Sequence, residues 1–180
     1  AFAAPGGAIG IYAGLIYHSE TEGQISSVLS HELAHLSQRH FARNIQRQQD
    51  RSLSNALIIL ASVAIAASSR PEAVMAGQQV IAQQALSYSR SNELEADRIG
   101  FLTLISAGYD PDSMPQMFEK LQSLSRLSGA NDLEFLRSHP LTKKRISDSR
   151  IRAREIQGSN YKKSVEFQLI KKRVSINFFK

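Results

Sequence analysis

The sequence has no cysteine among its 180 residues. Disulfides are excluded, and so is a metal site built on thiolates. Histidine, aspartate and glutamate are the side chains left to bind a metal. The chain also lacks a run of about 20 consecutive apolar residues, the length a membrane-crossing helix needs. Its most apolar stretch is residues 56–67, Ala-Leu-Ile-Ile-Leu-Ala-Ser-Val-Ala-Ile-Ala-Ala. We read this shorter run as a buried helix or hairpin arm. The alternative is a lip that makes peripheral contact with a membrane surface or rests on a protein partner. There is no aromatic-rich strand pair, zinc-finger spacing or glycine-rich phosphate loop, so no nucleic-acid partner is expected. No charged leader precedes an apolar core, so no signal peptide is expected, and the start at Ala1 without a methionine points to a fragment or a processed form. No internal repeat is visible.

Hydrophobic residues make up 42% of the chain, enough for one domain with a sizeable core. The net charge of +6 is uneven: residues 137–180 carry 13 Lys and Arg against 3 Asp and Glu, which leaves the rest of the chain slightly acidic. Such a tail attracts anionic surfaces, but the simpler reading is a solvated basic helix surface.

Residues 2–7 read as an extended segment entering a tight turn at Pro5-Gly6-Gly7. Residues 8–17 are rich in β-formers and suit a strand pair, or one strand bending at Gly14. This is either a core strand or an edge strand to which a substrate peptide adds, with Ile9, Ile11 and Tyr12 as its substrate-binding residues. Thr21 and Gln24 form a capping-box pattern, and Glu20 and Glu22 suit the start of a helix over about 21–49. Its apolar face is Ile25, Val28, Leu29 and Leu36. Residues 68–71 break the chain. A long helix is expected over about 72–107, capped by Gly108, and another over about 111–127 that buries Met114, Met117, Phe118 and Leu121. A loop at 128–131, a helical turn at 132–137 and an irregular Ser138-His139-Pro140-Leu141-Thr142 follow. Thr142 caps a basic helix to about 157, residues 158–160 end it, and 161–174 form a last helix with no partner in the chain.

The chemistry concentrates in His31-Glu32-Leu33-Ala34-His35. Two histidines four apart on a helix lie about 40° apart around the axis, one turn above the other, so both imidazoles reach one metal ion. Glu32 stands beside that metal, where a water would sit. This is the H-E-x-x-H arrangement of zinc peptidases. A catalytic zinc needs a third protein ligand and one open position. Glu93 and Asp97 share one helix face, whereas Glu95 is roughly 200° around from Glu93. Glu93 is expected as the third ligand and Asp97 as acceptor for a ligand histidine's N–H, with small Ala96 and Gly100 allowing close helix approach. The alternative is a solvated acidic run. His40 points away from the histidine pair and is expected at the surface or behind the ligands, and His18 has no role.

The motifs His31-Glu-Leu-Ala-His35 and Glu93-Leu-Glu-Ala-Asp97, with the Pro5-Gly6-Gly7 turn and Ser138-His139-Pro140 followed by Arg145, resemble those of the M48 zinc metallopeptidases over about 2–157. The chain is most similar to their periplasmic, BepA-like group, in which helical TPR repeats follow the peptidase domain. The resemblance implies an α+β, predominantly α-helical fold of the zincin (gluzincin) type with a small β-sheet beside the H-E-x-x-H helix. It implies a peptidase domain over residues 1–157, and a C-terminal helix over 158–180 that begins a repeat region absent from this chain. It implies a zinc endopeptidase binding one Zn2+ per chain and degrading misfolded or stalled outer-membrane proteins in a Gram-negative periplasm. Unfolded polypeptides and the outer-membrane assembly machinery would be its partners. Its alternative is a chaperone or assembly factor with a largely closed zinc site. Glu32 would be the general base. His139 would be a removable fourth metal ligand that silences the enzyme, or a capping or core histidine. Arg145 would stabilise the oxyanion, or pair with an acid in a basic helix.

Overall fold

The structure, a computed structural model, describes residues 1–4, 6–67, 72–128, 134–156 and 165–178. The expected turn residue Pro5, the break at 68–71, the loop at 129–131, the first residues of the short turn at 132–133, the end of the basic helix at 157–160 and the start of the last helix at 161–164 lie outside the described residues. Backbone contacts divide the chain into one unit of Ala1–Gln38 with Leu94–Lys180 and a second of Arg39–Glu93. The described part is predominantly helical with one small sheet, as expected.

In the first unit, β1 (Phe2–Ala4) and β2 (Ala8–Gly10) pair antiparallel, with Ala3 opposite Ile9. The reversal needs left-handed backbone at Gly6 (φ 93°) and Gly7 (φ 88°), conformations that cost glycine nothing. The strand expected to reach Tyr17 stops at Gly10. Residues beyond it form α1 (Ala13–His18), with Tyr12 at its N-cap. Tyr12, Leu15 and Ile16 recur at helical spacing and pack against one core cluster, and this overrides their β-propensity. Of the expected substrate-binding residues, only Ile9 therefore stands on a strand. Ile11 follows it exposed, and Tyr12 packs against Phe2 and the core.

Helix α2 (Glu22–Ser37) carries the H-E-x-x-H motif. Thr21 Oγ1 accepts from the Gln24 N–H at 3.2 Å, and the Gln24 side chain accepts from the Glu20 N–H at 2.8 Å, so the expected cap forms one residue wider than a strict capping box. The helix does not continue to 49. It ends at Gln38, and Arg39 adopts φ 55°, a left-handed conformation rare for a side chain larger than Asn. No glycine or asparagine in the sequence marks this stop. Both strands touch α2, which sets the sheet beside the motif helix.

In the second unit, α3 (His40–Ala67) joins the polar stretch after Arg39 and the apolar run 56–67 into one helix. His40, expected at the surface or behind the ligands, is buried at its start. The run 56–67 is not a buried helix: only 6% of the most apolar 18-residue window of α3 is buried. By length and composition alone α3 is long and apolar enough to cross a membrane. Helix α4 (Ala73–Ser106) begins in this unit and runs on into the first, the division falling between Glu93 and Leu94. Gly108 (φ 83°) closes α4, where Gly108 N–H bonds Ile105 O and Tyr109 N–H bonds Leu104 O.

The first unit continues with α5 (Ser113–Ser128), α6 (Glu134–Ser138), α7 (Lys143–Glu155) and α8 (Val165–Phe178). Helix α5 feeds two apolar clusters. Met117 and Leu121 join Leu15, Ile25, Val28, Phe135 and Phe167, while Met114 and Phe118 join Phe101, Leu104 and Ala153. Its methionines are core, as the spacing predicts. Helix α8 was expected to have no partner. It has one: Phe167 is buried in the first cluster, Lys171 Nζ donates to Ser19 O at 2.7 Å, and α8 packs on α1.

Candidate active site

Polar groups sink into the core where α2 meets α4. His31 is fully buried, Glu32 nearly so, and His35 half-buried. The helices touch at Gly100, where an added Cβ would lie 2.9 Å from the His31 Cα and N and 3.0 Å from the Ser30 carbonyl carbon. Only a residue without a side chain fits there. The neighbouring Ala96 is also fully buried.

The ring nitrogens converge. His35 Nε2 lies 3.1 Å from His31 Nε2, which lies 3.3 Å from His139 Nδ1. Together with a carboxylate oxygen of Glu93, on the turn of α4 that precedes Asp97, these donor atoms all lie within 4.8 Å of one another. Four ligands about 2.0–2.1 Å from a tetrahedral ion sit roughly 3.3 Å apart. The spacing of the imidazole nitrogens fits such an ion, and the nitrogen-and-carboxylate donor set suits it chemically. The structure brings together all four residues read from the sequence as metal ligands.

Asp97 reaches this cluster from behind. Its Oδ1 lies 3.0 Å from His31 Nδ1, and a carboxylate in that place favours the tautomer with the proton on Nδ1 and the Nε2 lone pair available to a metal. The same carboxylate takes a bidentate clamp from Arg145, Nε to Oδ2 and Nη2 to Oδ1, each at 2.7 Å. Burial alone would raise the Asp97 pKa. The hydrogen bonds from Arg145 and His31, with their charges, outweigh it and hold the carboxyl below its ordinary value. Arg145 thus follows the second of its two sequence readings. It pairs with an acid, its third donor Nη1 bonds Pro140 O at 2.9 Å, and its guanidinium lies over the Phe118 ring.

His139 is buried in the loop after α6. Its backbone N–H bonds Phe135 O at 2.9 Å, and its ring stacks on Phe135 with centroids 5.0 Å apart. While Nδ1 faces His31, Nε2 lies 3.2 Å from Glu32 Oε1. Burial pushes Glu32 up, but the bond from His139 and the nearby imidazole charges prevail and leave its pKa below the usual value. Sequence reasoning missed Phe135 as the platform under His139. The only signal was an aromatic four residues before a histidine on a helical turn. It also gave no sign that Arg145 and Asp97, 48 positions apart, are partners.

Residues 1–153 match peptidase family M48. The chain is 36% identical over 177 residues to the putative beta-barrel assembly-enhancing protease of Vibrio cholerae, covering 97% of this chain and 36% of that protein. It is 36% identical over 176 residues to the beta-barrel assembly-enhancing protease of Escherichia coli strain K12, covering 96% of this chain and 36% of that one. The mitochondrial metalloendopeptidase OMA1 of Arabidopsis thaliana is 33% identical over 145 residues, or 81% of this chain and 27% of that one. The chain therefore spans about a third of the length of the curated relatives it matches. The family match takes in both helices that build the donor cluster and the loop that carries His139, and this chain belongs to peptidase family M48.

Proposed function

We propose that this chain is a zinc-dependent endopeptidase domain that cleaves unfolded or misassembled polypeptides, and that it serves outer-membrane protein quality control in the periplasm of a Gram-negative bacterium. The relatives named as assembly-enhancing proteases support the setting. One observation carries the chemistry: a nearly buried carboxylate, Glu32, stands next to a cluster of three imidazoles and a second carboxylate.

His31, His35 and Glu93 would hold the zinc, which supplies a Lewis acid that polarises a peptide carbonyl and makes a water acidic enough to ionise near neutral pH. Glu32 then accepts the water's proton on its carboxylate and passes it to the departing amine nitrogen. In that role Glu32 acts as the carboxylate. Asp97 and Arg145 hold the His31 ring in the productive tautomer. An extended substrate adds to the edge of β2, beside Ile9 and Ile11, with Tyr12 supporting that edge from the core.

Glu32→Gln tests this reading. Cleavage of casein should fall by roughly 100- to 10,000-fold, the usual worth of a positioned base, while metal analysis still finds one zinc per chain. Zinc-loaded Glu32→Gln protein with full activity would sink it.

His139 favours a second reading, in which the resting site is closed. Its ring places both nitrogens against the residues that would do chemistry, Nδ1 3.3 Å from His31 Nε2 and Nε2 3.2 Å from Glu32 Oε1. In this reading His139 is a removable fourth ligand, and support of assembly outlives the loss of Glu32. Increased casein cleavage by His139→Ala would favour it. Unchanged activity would count against it.

A further inference from the structure

The second unit presents a surface that the peptidase chemistry does not use. Helices α3 and α4 run antiparallel within it. Arg51 Nη1 bonds Gln84 at 3.2 Å, and further along α3 an added Cβ at Gly77 would meet the Ser62 side chain, so position 51 faces 84 while 62 faces 77. Between them lies a cleft of about 1010 Å³. Arg43, Arg47 and Arg51 line it from α3, with Gln79, Gln83 and Gln84 across from them on α4. Past Arg51 the character changes. No charged residue occurs between Arg51 and Arg70, nor between Glu72 and Arg90.

The apolar residues of this stretch are not covered. Leu53, Leu57 and Leu60 are 70%, 58% and 65% exposed, and Ile59, Val63, Ile65, Met75 and Val80 are exposed as well. Their distribution around α3 decides what suits them. Leu53, Leu57 and Leu60 share a face, Ile59 and Val63 lie roughly 60–100° around from Leu60, and Ile65 lies on the far side. A protein groove takes a single stripe of a helix at i, i+3 or i+4 and i+7. A helix apolar on most of its circumference needs an apolar surround on most of its circumference. Leu53 to Ile65 is a rise of roughly 18 Å, close to the ~15 Å depth of one leaflet's hydrocarbon. The arginines sit at one end of this stretch, on one side of the helix, as charged donors do when an apolar segment enters an anionic interface.

We infer that the α3–α4 arm is a membrane-binding element: residues 53–65 enter one leaflet of an anionic phospholipid bilayer while Arg43, Arg47 and Arg51 engage its phosphate headgroups. This goes beyond proteolysis and stands or falls separately from it. The glutamines across the cleft supply further hydrogen-bond donors to phosphate oxygens.

The full chain gives a direct test, because it contains no tryptophan. Leu60→Trp puts a single indole on an exposed position, and its emission should shift to the blue on addition of equimolar phosphatidylcholine–phosphatidylglycerol vesicles, with much less shift on phosphatidylcholine alone. Replacing Arg43, Arg47 and Arg51 together by Gln should lower partitioning on the anionic vesicles by about 100-fold, at about fivefold per arginine. Leu57→Gln with Val63→Gln should abolish it even at low salt. Far-UV circular dichroism matching the parent chain establishes that each variant folds. The inference is overturned by an unchanged emission spectrum on anionic vesicles. It is overturned equally by arginine or apolar variants that bind as well as the parent. A blue shift without vesicles that grows with protein concentration would assign the surface to a second copy of the chain and overturn it too.

Discussion

At the scale of single residues, the site depends on a chain of three groups, Arg145, Asp97 and His31, of which only the last faces the donor cluster. All three are buried, and the charges of Arg145 and Asp97 are tolerable there only because each answers the other. Asp97→Asn leaves the guanidinium short of its counter-charge and should cost about 3–5 kcal/mol near neutral pH, read from denaturant midpoints of zinc-free protein. The pH dependence has a fixed sign. A carboxyl whose folded pKa is depressed contributes stability that is complete above its unfolded value, about 4, and is lost as pH falls through the folded value. The gap between parent and Asp97→Asn should therefore be widest near neutrality and narrow below pH of about 4. A gap that stays constant down to acid would mean that Asp97 ionisation plays no part. Much of this site is legible in the sequence. His31 with His35, and Glu93 with Asp97, declare themselves through four-residue spacing, which is local geometry. Arg145 does not, because a long cation in a basic helix looks alike whether its partner is water or an acid 48 residues away.

At the scale of elements, the approach of α2 and α4 sets how near the carboxylate of Glu93 comes to the imidazoles. Gly100→Ala places a methyl group about 2.9 Å from the His31 backbone, with no flexible side chain to give way. We expect a loss of about 1–3 kcal/mol in stability from overpacking, together with weaker zinc retention in competition with a chelator. Unchanged zinc retention would show that helix separation does not tune the site. Element boundaries were legible where a cap or a glycine marks them. Thr21, Gly108 and Thr142 all sit at the expected ends, and Thr142 Oγ1 accepts from the Arg145 N–H at 3.3 Å. They were illegible in two places. Residues 12–16 carry β-branched and aromatic types at a helical spacing, and the spacing wins once Leu15 can be buried. At Arg39 the chain turns through left-handed backbone without the residue that usually permits it.

At the scale of the whole molecule, the first unit has two apolar clusters that owe nothing to a metal. Removing zinc should therefore silence cleavage without unfolding the chain: far-UV circular dichroism is retained, the Tm falls by a few degrees, and activity returns when zinc is restored. Collapse of the helical signal on chelation would instead make the metal structural. The second unit shows what sequence hides at this scale. Apolar composition over 56–67 suggested burial, because most such runs in folded domains are buried. Whether a neighbouring surface exists to cover them is a property of the assembled fold, and among the described residues little covers α3.

The bidentate clamp between Arg145 and Asp97 carries an implication for how such chains diverge. A lone cation or a lone anion at these depths is costly, whereas a neutral pair of similar volume is nearly free. The two positions should drift through evolutionary time only in concert. An alignment of family members should show acid at 97 and arginine at 145 kept or exchanged together, a double substitution written in ancestry rather than on the bench.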